Sequence, residues 1–232
     1  RTANLLNAAG LKVVSIASPL FKCVLPGGEA LDSRFERDVF GAPHTFEDQP
    51  RLLQRAFHAA HRFGAPVIRI FSFWRTVDRS SCFDRIAAAL YDAVRQAAHE
   101  DVVLGIENEH ACNAGTAGET AALLRAVNHP NLKVVWDPAN AYVAGETPFP
   151  DGYRKLAASD IVHVHAKDCR LIEGRPDWLP LGTGAVDWKG HLAALAADGY
   201  RGAVSLETHW SGPNGDKLLA STICAWNLRG LL

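Results

Sequence analysis

Six short apolar runs, separated by stretches of helical periodicity, constrain what this chain can fold into more than any other feature. The runs are "LKVVSIAS" (11–18), "PVIRIFSF" (66–73), "VVLGIENE" (102–109), "LKVVWDP" (132–138), "IVHVHAKD" (161–168) and "GAVSLETH" (202–209). Between them, residues 48–63 carry Leu52, Leu53, Ala56, Phe57 and Ala60 at helical spacing and stop at Gly64. Residues 83–99 repeat the pattern with Ile86, Leu90, Val94 and Ala97. "TAGETAALLRAV" opens with Thr116 and Glu119 at capping-box spacing, and "DWKGHLAALAADGY" opens on Asp187 as a cap and closes at Gly199. A last helix is predicted from Asp216 to the end. Strands and helices that alternate require crossover connections, hence parallel pairing. An open doubly wound sheet and a closed (β/α)8 TIM barrel both satisfy this. A weak seventh strand is predicted near "WLPLG" (178–182), and a barrel needs eight. The opening "TANLLNAAG" reads as a helix end leading into a strand, so the first strand is expected to precede Arg1; the chain also holds no methionine. With no linker or internal repeat, residues 1–232 are expected to form a single barrel domain.

Side chains of a strand alternate between its two faces. In "IVHVHAKD" this places His163, His165 and Lys167 on one face and Val162, Val164 and Ala166 on the other. The other strands follow suit. Leu104 and Ile106 oppose Gly105, Glu107 and Glu109; Val134 and Trp136 oppose Val135 and Asp137; Val204 and Leu206 oppose Ser205, Glu207 and His209. Each strand has an apolar face for helices and an opposite face that ends in a carboxylate or imidazole. The C-terminal ends of parallel strands meet at one mouth, where active sites of barrels lie. Glu107, Asp137, His165 and Glu207 arrive there one per strand, with room for a weak strand between the last two.

Three carboxylates converging on one point repel, and one must hold a proton unless a cation joins them. One divalent metal ion resolves the conflict. Oxygen ligands with one imidazole suit Mn²⁺, Mg²⁺ or Co²⁺, and Zn²⁺ is compatible. The competing reading is a rim ion-pair network in which Lys167, Arg170 and His209 neutralise the acids. His163, one layer deeper, reads as a supporting histidine below the site. Lys167 points into the mouth and either binds a substrate oxygen or pairs with a carboxylate. His209 orients Glu207 or touches substrate. Trp74 and Trp178 are read as walls of the site or as core. "LGTG" (181–184) is read as a plain turn or a phosphate cradle.

Composition excludes several classes. Lys plus Arg number 24 against 25 Asp plus Glu, a formal charge of -1 with no basic run, so no nucleic-acid partner is expected. No signal peptide or spanning apolar run is seen, so no membrane partner is expected. Five scattered cysteines without a CxxC pair point to reduced thiols and a cytoplasmic protein. Nothing identifies an oligomer face.

"GIENEH", "WDPAN", "HVHAKD" and "SLETH", in this order, together with "SIASPLFK" and "LGTGAVDW", carry a family resemblance. From about Gly10 onward the chain resembles the xylose isomerase-like TIM-barrel superfamily. Within it, the chain is most similar to the sugar phosphate isomerase/epimerase family, related to ketose 3-epimerases and inosose dehydratases. The resemblance implies a (β/α)8 barrel missing its first strand and a metal-dependent enzyme acting on a small sugar or polyol. Glu107, Asp137, His165 and Glu207 would be the metal ligands, on strands four, five, six and eight. Glu107 and Glu207 would be the acid/base pair. Asn140 would face substrate, with Lys22, Lys167, Arg170 and His209 as further substrate contacts. The groups suit proton removal beside a carbonyl through an enediolate. Returning the proton gives epimerisation or isomerisation; losing a β-hydroxyl gives dehydration. An endonuclease IV-like reading needs extra histidines where "IASP" and "IFSF" stand. A non-catalytic sugar-binding barrel is the third class.

Overall fold

The computed structural model describes residues 2–37 and 43–232. Six of the predicted runs form strands of one parallel sheet: β1 (Ser15–Ala17), β2 (Val67–Ile70), β3 (Val103–Glu107), β4 (Leu132–Trp136), β5 (Ile161–Ala166) and β8 (Ala203–Leu206), in the spatial order β1-β2-β3-β4-β5-β8. Every pairing is parallel. The helices are α1 (Thr2–Ala8), α2 (Gln49–Phe63), α3 (Phe83–His99), α4 (Ala117–Val127), α5 (Pro138–Val143), α6 (Trp188–Ala197) and α7 (Lys217–Leu231).

Local chemistry sets the helix ends. Gly64 adopts a left-handed φ of 64° after α2, a conformation that costs a residue without a Cβ little. Thr116 and Glu119 form the full capping box of α4. Asp187 accepts from Gly190 N at the start of α6, and Asp216 from Leu219 N at the start of α7.

The helix-facing side of the sheet carries Ile68, Ile70, Leu104, Ile106, Val134, Trp136 and Val164, all at 0 % exposure. They join two apolar clusters, one against α2 and α3, the other against α5, α6 and α7. Val164 and Ala166 take their expected place there. Val162 does not: the register shifts between Val134 and Val135, and Val162 lies within 3.4 Å of where a Cβ on Gly105 would stand. Such an irregularity lets a side chain escape strict alternation.

The seventh strand is corrected by the structure. Residues 168–179 form an antiparallel hairpin, β6 (Asp168–Ile172) and β7 (Arg175–Leu179), and β5 pairs directly with β8. Glu173 and Gly174, with φ of 50° and 77°, make the two-residue turn that the right-handed twist of a hairpin favours. Among the described residues six parallel strands curl into an incomplete barrel, short of the eight that close one. No helix among them is long and apolar enough to cross a membrane.

Candidate metal centre

Glu107 ends β3, Asp137 follows β4, His165 lies in β5 and Glu207 follows β8. Because β5 and β8 are neighbours, the four residues come from consecutive strands, with no strand between the last two as the sequence had suggested. One ligand atom from each lies within 4.8 Å of the others, and no other such group stands out among the described residues.

Each side chain is held from behind. Glu107 Oε2 accepts from Arg69 Nη1 at 3.0 Å; Glu107 Oε1 accepts from Asn140 Nδ2 at 3.2 Å and lies 3.2 Å from His165 Nδ1. Asn108 clasps the backbone of Asp137 at both N–H and C=O, each at 2.7 Å, which ties the ends of β3 and β4 together. Asp137 Oδ1 accepts from Asn140 N at 2.9 Å and so caps α5. Its Oδ2 is buried, accepts no well-aligned hydrogen bond, and lies 2.8 Å from Lys167 Nζ. Lys167 also reaches Glu207 Oε2 at 2.7 Å. His165 Nδ1 is 3.6 Å from the same oxygen, and His209 Nε2 is 3.7 Å from it.

Burial works against charge here, and the neighbours decide each group. Burial pushes Glu107 up, but His165, Arg69 and Lys167 outweigh it and hold the carboxyl well below the ordinary range. Glu207 is likewise lowered, against burial, by Lys167. Asp137 is pushed up to about 7 by burial, with Glu207 and Glu107 adding to the rise and Lys167 opposing it. His165 is raised against burial by Glu107, whereas burial takes His163 and His209 down to about 4. His163 lies below the centre with its ring edge-on to His165 at 5.2 Å.

A cavity of about 700 Å³ opens above the centre. Lys22, Asn140, Lys167, Glu207 and His209 line it. Lys22 pairs with Glu109 at 3.5 Å and lies over the ring of Phe71. Arg170 is not brought there: it is exposed on the hairpin and paired with Asp177 at 2.9 Å. Trp178 lines the cavity against His209, with ring centroids 4.6 Å apart, while Trp74 is buried beside Phe71 and Cys112. The amides of "LGTG" are already engaged: Gly182 N and Gly184 N donate to Asp168, which also accepts from Val186 N and Cys169 N, while Thr183 N donates to Pro180 O and Leu181 N to Cys224 Sγ.

Sequence reasoning passed over Arg69 and Asn108. Arg69 stands inside the apolar run "VIRIF", where period two already sends it to the face of Glu107. Asn108 carried no such signal, because its role depends on a loop that turns it back toward β4.

Three carboxylates, Asp137 among them with a buried Oδ2 lacking a hydrogen bond, and one imidazole suit a divalent cation. Lys167 already sets one positive charge against Asp137 and Glu207, the pairing that the ion-pair reading expects.

The six parallel strands curl with their polar cluster at the C-terminal ends, as in an incomplete TIM barrel. The chain matches the sequence profile of the xylose isomerase-like TIM barrel over residues 1–225 and belongs to that family. Solved structures share its fold. The probable 3-DHS dehydratase AsbF of Bacillus anthracis is 20% identical, with a TM-score of 0.70 over 100% of this chain and 80% of that one. IolI protein with a bound zinc atom is 17% identical, with a TM-score of 0.72 over 98% and 78%. The 3-keto-D-glucoside 4-epimerase YcjR of E. coli, in its apo form, is 15% identical, with a TM-score of 0.67 over 98% and 82%. No curated protein matches the chain in sequence.

Proposed function

We propose that the protein is a divalent-metal-dependent isomerase or epimerase of a sugar, sugar phosphate or inosose, with Glu107 and Glu207 as its acid/base pair. The observation that carries this reading is their placement. They stand on the outer two of four consecutive strands and flank His165 Nδ1 at 3.2 and 3.6 Å. Solved structures of like fold that are described as an epimerase and a dehydratase support the same chemistry.

Glu107, Asp137, His165 and Glu207 would hold the ion, which when bound supplies Lewis-acid stabilisation of negative charge developing on a substrate oxygen. The chain's own groups do the rest. Both glutamates are held ionised by their neighbours, so each can accept a proton from the carbon beside the carbonyl. Arg69 and Asn140 fix the Glu107 carboxylate, and Lys167 fixes that of Glu207. One ionised glutamate takes the proton; the other delivers, to the opposite face of the same carbon, a proton it has itself taken from solvent, whereas return by the first to the neighbouring carbon gives isomerisation. A dehydratase on the same enediolate is the second reading. His110 lines the cavity with its Nδ1 3.0 Å from Asn140 Oδ1, and is the residue this reading adds to the site. Five free, buried cysteines suit a cytoplasmic setting.

The test is exchange of substrate protons with heavy water across a panel of ketoses and inososes, with Mn²⁺, Mg²⁺, Co²⁺ or Zn²⁺ supplied. Glu107→Gln and Glu207→Gln should each lower exchange by about 10²- to 10⁴-fold. Absence of exchange with every substrate and metal would refute the proposal.

A further inference from the structure

We infer that the outer part of the cavity is a subsite for an anionic group, a carboxylate or phosphate ester, carried by the substrate away from its reacting carbon. This inference deepens the proposed enolising function and rests on it.

Charge bookkeeping along the cavity is the basis. Its inner cations are spoken for: Arg69 pairs with Glu107, Lys167 with Asp137 and Glu207, and Lys22 with Glu109. Arg34 is clamped by Asp32. Two guanidiniums are left: Arg37 and Arg175 line the same cavity, and among the described residues neither has a carboxylate within ion-pairing distance. Among the described residues Glu36 is the one lining carboxylate also without an ion pair. The chain as a whole is slightly acidic, so this surplus is local.

Donor chemistry narrows the ligand. A guanidinium offers five N–H donors and no acceptor. Sugar hydroxyls need acceptors as well as donors, whereas carboxylate and phosphate oxygens take donors alone and fit the planar fork. Arg175 also has a firm platform. It opens β7 straight after the Glu173–Gly174 turn, is ladder-paired with Ile172, and stands two positions before Asp177, which pairs with Arg170 across the two strands of the hairpin. Trp178 on this hairpin and Phe35 on the facing loop, whose ring lies 5.7 Å from that of His110, supply apolar walls along the same cavity.

The test compares binding of D-fructose, D-fructose 6-phosphate and D-fructuronate to the Mn²⁺-loaded protein by calorimetry. Both charged sugars, or one of them, should bind at least about tenfold tighter than fructose. The phosphate and carboxylate arms then identify which anion the subsite takes. Arg37→Ala and Arg175→Ala should each weaken the favoured anion several-fold more than they weaken fructose, and Arg175→Lys should recover part of the loss. Raising salt should erode the preference. Equal binding of all three sugars, binding of none, or a preference that survives in the double alanine variant would overturn the inference. Binding requires no turnover. A preference with no proton exchange across the whole panel of substrates and metals therefore condemns the enolising function, and exchange without a preference condemns the subsite.

Discussion

Replacing Lys167 with methionine asks what the buried carboxylates do without their ammonium. Lys167 is 3 % exposed in its side chain and lies 2.8 Å from Asp137, which is 0 % exposed. Its second contact, Glu207, is 29 % exposed and partly screened by water. Most of the cost therefore falls on Asp137. Removing one partner of a buried pair costs about 3–5 kcal/mol. Protonation of Asp137, already pushed up to about 7, limits that cost near neutral pH. Urea unfolding in the presence of a chelator should show Lys167→Met less stable by about 3 kcal/mol, the lower end of that range. Saturating Mn²⁺ should narrow the gap, because the ion replaces the lost charge. An ion at 1,000 times its Kd stabilises a fold by about 4 kcal/mol. A chelated variant within about 1 kcal/mol of the parent would refute the reasoning about burial. A gap that Mn²⁺ leaves unchanged would refute the placement of the ion on these carboxylates.

Two other substitutions probe the scaffold beneath the centre. A Cβ on Gly105 would meet Val135 Cγ2 at 2.7 Å and Val67 Cγ1 at 3.3 Å, both stiff branched chains. Gly105→Ala should cost about 1–3 kcal/mol in chemical denaturation, and Val135→Ala in the same chain should recover part of it. His191 is fully buried among Trp136, Phe149, Tyr153 and Trp188, and burial takes its pKa down to about 4. The unfolded chain, with an ordinary histidine near 6.5, then binds the extra proton first, so stability falls as pH drops from about 6.5 to about 4. This one group should remove about 2 kcal/mol by about pH 5, and His191→Phe should flatten that slope in urea titrations at several pH values.

What was legible in the sequence follows from periodicity. Period two sorted Glu107, Asp137, His165 and Glu207 from the core residues beside them, and position at the end of each run put them at one mouth. Capping chemistry was local as well, so Thr116, Asp187 and Asp216 could be read directly. Long-range partners were not legible. Asp168 looked like the tail of a strand, yet it accepts amide hydrogen bonds from residues as far along as Val186. The hairpin of residues 168–179 carries a turn signal, Glu173–Gly174, but Asp168 to Ile172 run on from β5 without an apolar alternation of their own, so the sequence offers only the weak strand near 178–182. That concealed the direct pairing of β5 with β8. Arg170, expected to neutralise the acids or to touch substrate, is carried to solvent by the hairpin.

Metal content per chain, by mass spectrometry on protein purified without chelator and then supplied with Mn²⁺, tests the central claim most directly when set beside Asp137→Ala. About one divalent ion per chain, lost in the variant, is the predicted result. No bound ion after Mn²⁺ is supplied, or the same content in both proteins, would contradict the assignment and leave Lys167 to hold Asp137 and Glu207 together.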